Sequence, residues 1–243
     1  MIDAAVDVCN LTVIRGLTTA VDDVSLSVAN GSWFGLVGAN GSGKTSLLRA
    51  VAGRLPCQIT SCRISGTELA DDPANRAARL GFMPPAELLP TALTGQQLLN
   101  LVGGSEDVWR AGTGDIGEAI GLEQLLSKRI GDCSAGMRQR IAIGCAFAAN
   151  NAVVILDEPF NWLDPVASYD LRCAFRRRVD AGLTLITAMH DLLSLAVCDA
   201  GLLLGGGIVV TELENAEITV GRADPGGFES RMITILRKHS RWT

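Results

Sequence analysis

Gly38-Ala39-Asn40-Gly41-Ser42-Gly43-Lys44-Thr45 is the stretch that decides the fold of this chain. It fits the pattern G-x-x-x-x-G-K-[ST] and stands between an apolar run, Trp33-Phe-Gly-Leu-Val37, and a helical segment, Lys44 to Ala52, with Leu47, Leu48 and Val51 on one face. Gly53 and Pro56 stop that segment. Strand, glycine-rich turn and helix in this order form an anion cradle. The glycines let successive main-chain N–H groups turn inward, and the helix start adds partial positive charge. Lys44 would reach the β- and γ-phosphates of a bound nucleotide, and the Thr45 hydroxyl would go to Mg²⁺.

Outward from the turn, Val24-Ser-Leu-Ser-Val28 alternates like a half-buried strand, and short strands are expected at 58–66 and 79–83. The stretch 94–130 reads as mainly helical. The second half returns to α/β alternation: a helix from Gly136, a strand at Ala152–Leu156, a helix from Pro165, a strand at Leu183–Ala188 and a strand pair around Gly205-Gly206-Gly207. Leu171, Phe175 and Val179 fall on one face of the helix from Pro165 and read as plain core.

Two strand ends carry the chemistry. Val153-Val-Ile-Leu-Asp157-Glu158 is an apolar run delivering two acids to its C-terminal edge, where ligands bind in open α/β sheets. Asp157 would hold Mg²⁺ through water, and Glu158 would take a proton from the attacking water. Leu185-Ile-Thr-Ala-Met189-His190-Asp191 repeats the arrangement, and His190 would donate a hydrogen bond to the γ-phosphate.

Composition narrows the class. With 243 residues, 48% hydrophobic and 19% charged, the chain suits one compact α/β domain over 1–243. A net charge of −5 disfavours nucleic acid as the main partner. The basic runs Arg176-Arg177-Arg178 and Arg237, Lys238, Arg241 read as solvated helix faces without a role. Seven cysteines without a CxxC pair suit reduced thiols, and the acidic N-terminus is unlike a signal peptide. The apolar stretch Ile141–Leu156 is cut by Asn150 and Asn151 and is too short to span a bilayer. The tail from Phe228 to Trp242 places Phe228, Met232 and Leu236 on one helical face, expected to pack on the core.

Cys133-Ser-Ala-Gly-Met-Arg-Gln139-Arg140 opens a helix about twenty residues before the acidic strand and resembles the LSGGQ-type signature of ABC ATPases. The phosphate loop, Asp157-Glu158-Pro159, Phe160-Asn-Trp-Leu-Asp164-Pro165 and His190 extend the resemblance in order from about residue 8 to 212. It implies a P-loop NTPase core of RecA-like type, with an N-terminal antiparallel β-subdomain and a helical subdomain, roughly 86–150, inserted before the signature. The nucleotide would be ATP with Mg²⁺, bound by Gly38 to Thr45 and Ser46, and hydrolysed with Lys44, Glu158 and His190.

Two such subunits, alike or different, would meet head to tail. Ser134 and Gly136 would then touch the γ-phosphate held by the opposite subunit, and Asp164 would couple the two sites. The resemblance also implies an integral membrane permease as partner and a peripheral place on the cytoplasmic face of the membrane. Leu93-Thr-Gly95 is similar to exporter subunits. A soluble ABC ATPase acting on a protein assembly or nucleic acid, and an ATP-binding regulatory subunit with weak hydrolysis, are the alternatives.

The sequence departs from the family pattern at four places. Pro85, in Gly81-Phe82-Met83-Pro84-Pro85, stands where a glutamine senses Mg²⁺ and water, with Glu87 an offset substitute. Ala135 replaces a signature glycine, harmless only if its backbone is ordinary helix. Cys133 stands for leucine. Arg15 aligns with the aromatic residue that stacks on adenine, where its guanidinium plane would stack instead.

Overall fold

The computed structural model describes residues 4–190 and 192–239. Two sheets organise the chain. β1 (Ala4–Arg15) and β2 (Thr18–Ala29) form a long antiparallel hairpin, and β4 (Ser61–Ile64) and β5 (Thr67–Glu68) extend it to a four-stranded sheet of order β2-β1-β4-β5. The second sheet has the order β10-β9-β3-β8-β7-β6. It is built from β3 (Trp33–Val37), β6 (Leu80–Phe82), β7 (Val153–Asp157), β8 (Thr184–Met189), β9 (Ala200–Gly205) and β10 (Ile208–Leu213).

β3 pairs parallel with both β8 and β9, and β7 pairs parallel with both β8 and β6; β10 alone returns antiparallel. Parallel strands must be covered on both faces, which explains why β3 and β8 are buried at every position. The expected antiparallel N-terminal part and α/β core are both present.

Helix α1 (Lys44–Val51) lies between the sheets, with Leu47, Leu48 and Val51 in the core they share with β1 and β2. On the other face, α3 (Gly95–Gly103), α4 (Glu106–Ala119), α5 (Ala135–Phe147) and α6 (Pro165–Asp180) build a second cluster, in which Leu99, Trp109, Ile116 and Phe147 join Leu171, Phe175 and Val179. Trp33 anchors it: its ring meets Phe175 edge-on at 5.6 Å, and its indole donates to the Thr187 hydroxyl at 2.9 Å. A short helix, α2 (Pro73–Arg79), and two C-terminal helices, α7 (Asn215–Ala223) and α8 (Pro225–His239), complete the chain. Phe228 and Met232 of α8 are buried in the second cluster, as the tail reading expected; Trp242 lies outside the described residues.

The basic run on α6 is not a free solvated face. Arg178 donates to the Gly112 carbonyl at 3.0 Å, beside the break in α4 at Gly114 (φ 42°, ψ −126°); Arg177 pairs with Asp115, and Arg176 with Asp180 and Asp199. The break frees a carbonyl, and α6 supplies its donor. Of the C-terminal basic run, the Lys238 side chain and Arg241 lie outside the description. All seven cysteines are free thiols.

Candidate nucleotide site

β3 runs straight into the turn 38–43, and the turn into α1. Gly43 takes φ 103° and Gly41 φ 80°, the left-handed region that side chains resist. Crowding explains the other glycine: a Cβ at Gly38 would lie 2.2 Å from the Leu204 carbonyl oxygen, and one at Gly43 would lie 2.4 Å from that of Ala20. Gly41 has open space on that side. The loop is therefore clamped from β9 and β2 and left clear at its tip.

Lys44 is buried, and its ammonium donates back to the carbonyls of Gly38 (2.7 Å) and Ala39 (3.1 Å). Burial lowers its pKa, opposed by the charges of Glu158 and Asp157. An ammonium held by two carbonyls at the rim of the cradle faces the position of an anion. Ser42 Oγ is buried without a partner.

The acidic pair arrives on β7, two strands from β3. Asp157 Oδ1 is buried and unpartnered; burial, first, raises the Asp157 pKa, and the neighbouring Thr45 side chain opposes that shift. The Glu158 backbone takes φ 51°, its N–H donating to the Ala188 carbonyl at 2.9 Å. Its carboxylate accepts from the Asn161 side-chain amide, and Nδ1 of the exposed His190, at the end of β8, lies 3.8 Å from it. Thr45, Asp157 and Glu158 line a common cavity of about 340 Å³.

These features fit a metal–triphosphate: glycine-opened amides, a buried ammonium, and a hydroxyl beside a carboxylate with an unused oxygen. Mg²⁺ takes oxygen ligands of this kind.

The structure thus gathers the cradle, Lys44, Thr45, Asp157, Glu158 and His190, with buried Ser46 one turn into α1. Asn40 lies exposed at the loop tip. Ser134 and Gly136 do not line this cavity. Ser134 is exposed and caps α5, accepting from the Met137 N–H at 3.3 Å; a Cβ on Gly136 would lie 2.6 Å from the Trp162 carbonyl oxygen. Ala135 is the first residue of α5 and lacks a positive φ, so its methyl is harmless. Cys133 is buried in the second cluster, its thiol donating to the Arg129 carbonyl at 3.3 Å. Arg15 ends β1 exposed, opposite Thr18; what reaches the loop from that hairpin is the Ala20 carbonyl. Asp164 caps α6 through the Ala167 N–H and pairs with Arg140 of its own chain.

Three residues were missed in the sequence. Gln139 donates to the Glu158 and Pro159 carbonyls, Asn161 holds the Glu158 carboxylate, and Arg49 lines the cavity. Asn161 sits three residues after Glu158, a spacing at which an amide reaches back over a turn.

A family model described as "ABC transporter" matches residues 21–161. The chain is 31% identical over 205 residues, 82% of its length, to the doxorubicin resistance ATP-binding protein DrrA of Mycobacterium tuberculosis (strain CDC 1551 / Oshkosh), and that match spans 61% of DrrA. It is 33% identical over 227 residues to the thiamine import ATP-binding protein ThiQ of Jannaschia sp. (strain CCS1), covering 89% of this chain and 96% of ThiQ. A solved ATP-binding subunit of an ABC transporter superposes with a TM-score of 0.82 at 25% identity, over 96% of this chain and 99% of that one.

Proposed function

The chain belongs to the ABC transporter family, and from that premise we propose that it binds and hydrolyses ATP as one of a pair of cassettes driving a separate membrane-spanning permease. The observation that carries this is the convergence of Lys44, Thr45, Asp157, Glu158 and His190 at the C-terminal ends of three neighbouring parallel strands, β3, β7 and β8.

In this reading the amides of 39–45 and Lys44 hold the phosphates. Thr45 and Asp157 hold Mg²⁺, which when bound neutralises charge on the β- and γ-oxygens. Glu158 accepts the proton of the attacking water, oriented by Asn161, and His190 donates to the γ-phosphate. Gln139 fixes the main chain that carries Glu158.

The exposed Ser134 at the start of α5, outside the chain's own cavity, supports a second subunit, whose γ-phosphate would meet that helix N-terminus. No helix among the described residues is long and apolar enough to cross a membrane. A permease would therefore supply the span and hold the chain at the cytoplasmic face, with the helical segment 86–150 as the connecting lobe. DrrA and ThiQ carry names for different cargoes.

Pro85 supports a second reading, an ATP-binding subunit with weak turnover, because a proline at the cavity wall offers neither side-chain ligand nor N–H. Phosphate release with Mg²⁺ and ATP separates the two. The ATPase reading expects release that falls about 10²- to 10⁴-fold in Glu158→Gln; equal release by both proteins contradicts it.

A further inference from the structure

Arg49 and Glu87 both line the cavity that holds Thr45, Asp157 and Glu158. Arg49 lies one helical turn beyond Thr45, so both project from the same face of α1. Glu87 lies in the short 3₁₀ turn 86–88 that starts from Pro85 and leads towards α3. Among the described residues that line the cavity, Arg49 is the only cation. The acids are unequally engaged. Asp157 lies beside Thr45, Glu158 takes Asn161 and faces His190, and Glu87 has no ion pair among the described residues. Arg49 likewise makes no ion pair among the described residues, yet its charge acts on Asp157.

We propose that Arg49 and Glu87 are a positioning pair that closes into an ion pair when metal–ATP occupies the cavity, tying α1 to the turn at Pro85. The inference rests on the nucleotide-site reading above. In the open site Asp157 competes for Arg49. With a divalent ion held at Asp157 that carboxylate's charge would be neutralised and its pull on Arg49 lost, leaving Glu87 as the lining carboxylate without a partner among the described residues. The pair would join the phosphate-loop helix to the entry of the helical segment, at the place where Pro85 offers no donor.

The sign of the Glu87 effect separates this pairing from plain electrostatics. If the two charges acted independently on a polyanion, neutralising Arg49 would weaken binding and neutralising Glu87 would strengthen it. Pairing requires both changes to weaken it. The experiment is a double-mutant cycle on the full chain, Arg49→Gln, Glu87→Gln and the double variant, titrated calorimetrically with ATP in Mg²⁺ and again in EDTA, with Tm recorded for each protein.

The pair predicts a loss of about 5-fold with Mg²⁺ for each single variant, a double variant no weaker than the singles, no Glu87→Gln effect in EDTA, and unchanged Tm. Tighter Mg²⁺–ATP binding by Glu87→Gln, or additive losses, overturns it. Wild-type protein that ignores ATP would instead overturn the nucleotide site itself.

Discussion

Gln139 donates its side-chain amide to the Glu158 main-chain oxygen at 3.0 Å and to that of Pro159 at 3.2 Å. Glu158 has a left-handed backbone, so the strand end bearing both acids holds a conformation that its neighbours must enforce. Gln139→Leu leaves two carbonyls without that donor beside a buried side chain. It should cost about 1–3 kcal/mol in urea unfolding and lower kcat more than it raises KM.

Positions 135 and 136 should behave oppositely. Gly136→Ala drives a methyl against the Trp162 carbonyl, a main-chain atom that cannot swing aside, and should destabilise by about 1–3 kcal/mol. Ala135→Gly, which restores the family's usual residue, should cost at most about 1 kcal/mol and leave turnover unchanged, because the backbone there is already ordinary helix. Unfolding curves and phosphate release on the two variants check this.

Burial raises the pKa of Asp157, so in the folded chain the ionised form is disfavoured. The folded state therefore binds more protons than the unfolded state between the ordinary value of 3.8 and the raised one. Stability falls as pH rises through that window and stays lower above it. Asp157→Asn should have a higher Tm than wild type at pH 7 without nucleotide, with the gap closing below pH 3.8. The same variant should lose the Mg²⁺-dependent part of ATP affinity.

Glu68 has the opposite sign. The Ser61 hydroxyl and the N–H groups of Cys62, Leu69 and Ala70 hold its carboxylate down to about 2. Its stabilisation is full above the ordinary value of 4.5 and is lost as pH falls towards 2. Glu68→Gln should lower Tm at pH 7 and cease to matter near pH 2; Tm measured across that range tests it.

Much of this was legible before the fold was known. β3 was readable to the residue because Trp33–Val37 is wholly buried between glycine-bounded turns, and β7, expected at 152–156 and found at Val153–Asp157, to within one residue because its apolar run ends on ionisable groups. β1 was not, since its alternation changes phase between Val8 and Leu11, where Asn10 takes φ 53°. α2 has seven residues and no apolar stripe, leaving only the Asp72 cap and Pro73 to announce it. The cradle and its acids were visible because their chemistry is local in sequence. Gln139 and Arg178 were not, because each serves main-chain carbonyls far along the chain, which no side-chain pattern marks.

Calorimetric titration of the folded chain with ATP and Mg²⁺, set beside Lys44→Ala, reaches the centre of this account most directly. One site per chain, lost or severely weakened in a Lys44→Ala protein of unchanged fold, is the expected outcome. No heat of binding, or equal affinity in both proteins, would contradict it.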